Sequence, residues 1–339
     1  MKKYFKENIF YQGDSKIVLP LFLVYIIAFI VNYLNINEYF RYNITNKLYR
    51  DYMVLNIVDG LDVFCLALYL GVIYIITSGL FKRKKWTTFL SMPYSKLDIR
   101  KREFFILFIS FIIYIAIFLL MILKGCIQYY EILSYLDKFY RIIIIETLRL
   151  VSVGLLILSI ICIVDTIFSN IYYIVGGVLT SFIYFIFFIS NFEYILTEKI
   201  IYKLNFIDLL NIIYDYILGG MREFRLYEVL IISTVFLFIS ILLIYISKRL
   251  TNKMMVENMN EGILFSFPKK IANFLLLTLP GLIIALFSAE FIYEYNDYNY
   301  NYYVLCMIRL IIVVVISFVV KYIIKNIKKE NENKNKIYY

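Results

Sequence analysis

Glu146 and Arg149 stand three residues apart inside a long apolar run, a spacing that puts both side chains on one face of a helix. Either charge alone is costly to hold in an apolar medium. The pattern therefore reads as an internal ion pair, with lining of a substrate path as its other use. Carboxylates elsewhere in apolar surroundings are few. Asp59 and Asp62 fall at the start of one apolar run, Asp165 at the end of another and Glu290 near the end of a third. Positions of that kind reach water or cap a helix. Arg309 lies within the last apolar run, where Glu290 or Glu294 of the preceding run is its candidate partner.

Other chemistry is excluded by what the 339 residues lack. There is no histidine, which removes helical His zinc sites, axial haem ligands and Ser–His or Cys–His nucleophile pairs. The four cysteines, Cys65, Cys126, Cys162 and Cys306, are scattered without a Cys-x-x-Cys spacing and read as small apolar fillers. Cys126 and Cys306 fall near one predicted membrane face, but nothing in the sequence asks for a disulfide. No Gly-x-x-x-x-Gly-Lys-Ser/Thr stretch is present to cradle nucleotide phosphates. No metal, catalytic group or nucleic-acid partner is expected, and the chain reads as something other than an enzyme.

The elements that must position these residues are membrane helices. Hydrophobic residues make up 62% of the chain and its mean hydropathy is +0.78, well beyond a soluble domain. Runs long enough to cross hydrocarbon about 30 Å thick occur at 17–34, 63–80, 104–123, 142–164, 171–189, 229–246, 271–289 and 304–320. The expected fold is therefore an all-α polytopic membrane protein of about eight spans, with both termini on one side. That side collects 23 of the 35 Lys and Arg residues, which makes it cytoplasmic by the positive-inside rule. No cleavable signal is evident, and residues 2–12 read as a short helix lying on the inner leaflet. Residues 190–228 are too long for a tight connection. Ile200, Ile201, Leu204, Ile207 and Leu210 recur there at helical spacing, which suggests a helix at the outer interface that Gly219-Gly220 would end. The Tyr-rich tract 293–303 suits an aromatic belt.

Between the second and third runs lies 81–105, with eight Lys/Arg that cannot rest in hydrocarbon. Trp86, Phe89, Leu90, Met92, Pro93 and Tyr94 interrupt that charge with a compact apolar cluster. Trp86, Phe89 and Leu90 fall at i, i+3 and i+4, one face of a short helix that Pro93 would stop. Such a face fits a cleft in a soluble partner. Contact of the Lys/Arg residues with anionic headgroups is the other use.

The stretch Phe89-Leu90-Ser91-Met92-Pro93-Tyr94-Ser95-Lys96, flanked by basic turns, resembles the coupling loop of the ABC-2 type transporter permeases. In that family the loop commonly reads Phe-Leu, a small residue, Leu-Pro, an aromatic or small residue, then Ser-Arg/Lys. Met92 replaces the usual leucine, and Thr88 occupies the usual acidic position. The likeness covers roughly residues 1–250 and includes the interfacial N-terminal helix and the long outer segment before the sixth span. It implies that Trp86, Phe89, Leu90, Met92, Pro93, Tyr94 and Ser95 couple to a separate cytoplasmic ATPase, which itself uses ATP and Mg. This chain would bind no cofactor. It would pair with a second permease, identical or homologous, in a bacterial cell membrane.

The implied organisation is a six-span core at 1–250 with the coupling loop at 81–103, an added helix pair at 251–325 and a disordered basic tail at 326–339. The implied activity is export of an amphipathic or lipid-like cargo such as a drug, an antimicrobial peptide or a lipid. Two other readings stand beside it. An ion-coupled secondary transporter predicts midplane carboxylates and broken helices in two related halves. A non-transporting membrane sensor or assembly subunit is the other.

Overall fold

The computed structural model describes residues 15–44, 57–79, 86, 95–133, 139–195, 206–218, 226–254, 261–295 and 302–337. The helices are α1 (Ser15–Glu38), α2 (Gly60–Tyr74), α3 (Lys96–Gln128), α4 (Phe139–Ile167), α5 (Ile171–Ile195), α6 (Phe206–Leu218), α7 (Leu226–Lys253), α8 (Ser266–Tyr295) and α9 (Tyr302–Ile337). Short π-helical stretches, Tyr39–Ile44 and Ile75–Gly79, extend α1 and α2. Among the described residues there is no strand, only an isolated antiparallel bridge between Phe168 and Ile263. Eight of the helices are long and apolar enough to cross a membrane, and the chain is an all-α, multi-pass membrane protein. The four cysteines carry free thiols.

Helix starts follow from local chemistry. Asp59 caps α2, accepting from the amides of Leu61 and Asp62 while the Asp62 carboxylate accepts from the amide of Asp59. Ser95 and Asp98 form the same reciprocal box at the start of α3. That cap lets α3 begin at Lys96, well before the apolar run at 104, so its first two turns are basic. At the other extreme, α9 continues to Ile337 where a disordered tail from 326 is expected. These last turns extend an existing helix and so need no new nucleus.

The described chain divides into two compact units, 1–171 with 210–264 and 172–209 with 265–339. This division is not the linear boundary at 250, since α5 groups with α8 and α9. Within the first unit α4 and α7 form the most extensive helix pair. Their buried contact positions include Ser152, Ser159 and Thr166 on α4, and Ser233, Ser240 and Ser247 on α7. Both sets recur every seven residues, and Thr166 meets Ser247 directly while Tyr216 bridges Ser152 and Ser233 in the same register. Small side chains let the two backbones approach closely, and a seven-residue repeat keeps the seam facing its partner along the whole contact.

In the second unit α8 packs on α9. A Cβ at Gly281 would lie 2.9 Å from both Cα and O of Val313, so no side chain fits there without parting the helices. Gly281→Val should lower the stability of this unit by about 1–3 kcal/mol. Thermal unfolding in detergent, followed by loss of helical signal, measures it; an unchanged midpoint would contradict the close approach.

Candidate functional site

The segment singled out by sequence enters the structure through Trp86 and Ser95. Trp86 is only 1% exposed and does not lie on an outward face. Its indole N–H donates to Glu103 Oε1 at 3.1 Å, and the Arg100 guanidinium carbon stands 5.6 Å from the ring centroid. The indole has a polar edge and an electron-rich face, and α3 supplies a partner for each. Trp86 therefore anchors the loop to its own chain rather than presenting a contact to another. Ser95 is exposed and serves as the α3 cap. Phe89, Leu90, Met92, Pro93 and Tyr94 lie outside the described residues. At the next residue, Lys96 Nζ donates to the Met254 carbonyl beyond the end of α7 at 2.5 Å.

Arg100 is the centre of this end of the unit. Its Nη1 pairs with Glu103 Oε2 at 3.2 Å and with Asp165 of α4. Its Nη2 donates to Thr166 Oγ1 at 3.0 Å, and its Nε to Thr251 Oγ1 of α7 at 3.4 Å. Asp165 also accepts from the Tyr74 hydroxyl of α2 at 2.5 Å. Beneath it, Thr166 and Ser247 share a hydrogen bond of 2.7 Å, the last layer of the α4–α7 seam. One guanidinium thus joins α3, α4 and α7 directly, α2 through Asp165, and the loop through Trp86. Two carboxylates and two hydroxyls surround it, a setting that holds a buried charge in place.

Glu146 and Arg149 sit at the opposite end of α4 and are 2% and 1% exposed. Nη1 and Nη2 of Arg149 meet Oε1 and Oε2 of Glu146 at 3.1 and 3.0 Å, a bidentate pair. Both members also hold the backbone of Val58. Its amide donates to Glu146 at 3.1 Å, and its carbonyl accepts from Arg149. The pair thus satisfies the chain just before α2 begins. Near it, Asn35 of α1 donates to Asp62 at 3.1 Å. The Tyr216 hydroxyl of α6 is 2.7 Å from both Ser152 Oγ and Ser233 Oγ, bridging the first layer of the α4–α7 seam. A Cβ on Gly60 would lie 3.3 Å from Leu218, so the end of α6 rests on the first turn of α2.

In the second unit, Arg309 Nη1 donates to the carbonyls of Asn191 and Ser190 at 2.8 and 3.4 Å. It brings a cation to the C-terminal end of α5, where positive charge is favoured by the helix dipole. The side chains of Glu290 and Glu294, its partners expected from sequence, lie outside the described residues. Among the described residues no group of His, Cys, Asp or Glu could hold a metal ion. Comparisons with protein-family models, with curated proteins and with solved structures return no match for this chain.

Sequence spacing alone places Glu146 beside Arg149. It does not place Arg100 beside Asp165, or Tyr216 between two serines, because those contacts join residues far apart in the chain. One signal for Arg100 was present. Residues 100, 107, 114 and 121 form a seven-residue repeat of buried positions along α3, and Lys101 and Arg102 fall off it.

Proposed function

We propose that this chain is the membrane-spanning permease subunit of an ABC-2 type transporter, in a bacterial cell membrane with both termini cytoplasmic. It exports an amphipathic or lipid-like molecule using ATP hydrolysed by a separate subunit. The observation that carries the reading is the Phe89–Lys96 sequence, set between the second and third spans and bounded by basic turns. The loop's two ends, Trp86 and Lys96, are tied to helix contacts that reach α7 and α4. That is what a loop receiving force needs. Glu146 and Asp165, the carboxylates an ion-coupled carrier would use as relays, are each engaged by a guanidinium. A second permease, identical or homologous, completes the path. Closure of the ATPases drives the two permeases between inward- and outward-open arrangements.

Expression with the neighbouring genes of its source tests the reading. The affinity-tagged chain should retain a P-loop ATPase, and the Phe89→Asp, Leu90→Asp double variant should release it. Anchors of this kind are worth about 2 kcal/mol or more, roughly thirtyfold in affinity for each. If no ATPase is retained by the unaltered chain, the transporter reading fails. Retention and hydrolysis unchanged by both aspartates would remove the docking role of the loop.

A further inference from the structure

The α4–α7 seam has a polar clasp at each end. At one end Arg100 joins Asp165, Thr166 and Thr251. At the other Tyr216 joins Ser152 and Ser233. The α4–α7 packing runs between the clasps, and Thr166–Ser247 at one end and Ser152–Tyr216–Ser233 at the other share one register along the two helices. Among the described residues of this segment, Trp86 touches Glu103 and Arg100 on α3, and Arg100 continues onward to α4 and α7. Lys96 adds a single backbone contact beyond the end of α7.

We propose that Arg100 is the positioning residue that passes a displacement of Trp86 to the α4–α7 pair, and so to the Tyr216 clasp at its far end. The role rests on the transporter reading. In Arg100→Gln the loop would keep its partner surface and its covalent link to α3. It would lose its hold on Asp165 and on the seam.

The sole tryptophan makes the anchoring part directly measurable. In the full chain in lipid nanodiscs, Trp86 excited beyond the tyrosine band should emit as a buried indole and resist acrylamide. Arg100→Gln should raise the quenching constant several-fold. Asp165→Asn, which keeps the size of the side chain and its bond to Tyr74, should raise it less. Size-exclusion profiles matching the unaltered chain exclude simple misfolding. Trp86 equally protected in both variants would overturn the proposal.

The transmitting part uses the chain with its co-purified ATPase and a cysteine probe, Ser233→Cys, beside Tyr216. A non-hydrolysable nucleotide should change the maleimide labelling rate of this probe with Arg100 present. In Arg100→Gln the ATPase should remain bound while the change disappears. An undiminished change in Arg100→Gln would overturn the relay and leave the transporter reading intact. Failure of the unaltered chain to retain any ATPase would overturn that reading and the relay with it, leaving Arg100 as an anchor only.

Discussion

Arg149→Met should lower the unfolding free energy of the protein by about 3–5 kcal/mol, the cost of breaking a buried ion pair from one side. The substitution keeps most of the side-chain volume, so the loss reports charge and hydrogen bonding rather than a cavity. It strands the Glu146 carboxylate and removes the donor to the Val58 carbonyl. Adding Glu146→Leu distinguishes two accounts of the pair. Were it a simple internal salt bridge, the apolar double variant would recover most of the stability, because well-packed apolar groups often replace buried pairs without loss. The Val58 amide and carbonyl would still lack partners in the double variant, at about 1–3 kcal/mol for each group left unsatisfied. Recovery should therefore be partial. Equilibrium unfolding in mixed micelles at increasing denaturing-detergent fraction measures all three proteins. Full recovery in the double variant would show that Val58 finds other partners.

Asp165→Ala is the second large effect, expected near the lower end of the same range, about 3 kcal/mol. Arg100 keeps Glu103 on its own helix as counter-ion, which limits the loss. What disappears is the ionic part of the link from α3 to α4, with the Thr166 hydrogen bond remaining, and the acceptor for the Tyr74 hydroxyl. Tyr74→Phe removes only the latter, so it should cost about 1.5–3 kcal/mol, a hydrogen bond to a charged group, and less than Asp165→Ala in the same assay. Equal losses would place the stabilisation in the tyrosine contact instead of the ion pair.

The eight spans were legible because hydrocarbon imposes a length and a polarity that no soluble context mimics. Local chemistry was legible too. The Glu146–Arg149 spacing is an intrahelical relation, and the Ser95–Asp98 box can be read from four consecutive residues. Trp86 was misplaced onto an outward face because i, i+3, i+4 spacing identifies residues sharing a face without saying what that face meets. The inward answer came from Glu103 and Arg100, a full turn and more into the next helix. The grouping of α5 with α8 and α9 carries no linear mark, and neither does the position of Tyr216. The Ser152-Ser159-Thr166 and Ser233-Ser240-Ser247 repeats were visible but polar. A search for apolar periodicity passes over them, although in a membrane the close-packed face is the one with small residues.

The clamp on Val58 bears on how the chain is made. The second span leaves the ribosome with its leading backbone groups unpaired, and their partner Glu146 lies 88 residues downstream. At about 5–20 residues per second, that interval is roughly 4–18 s. During it, water or headgroups at the bilayer surface must satisfy Val58. The final seating of the second span therefore waits on insertion of the fourth.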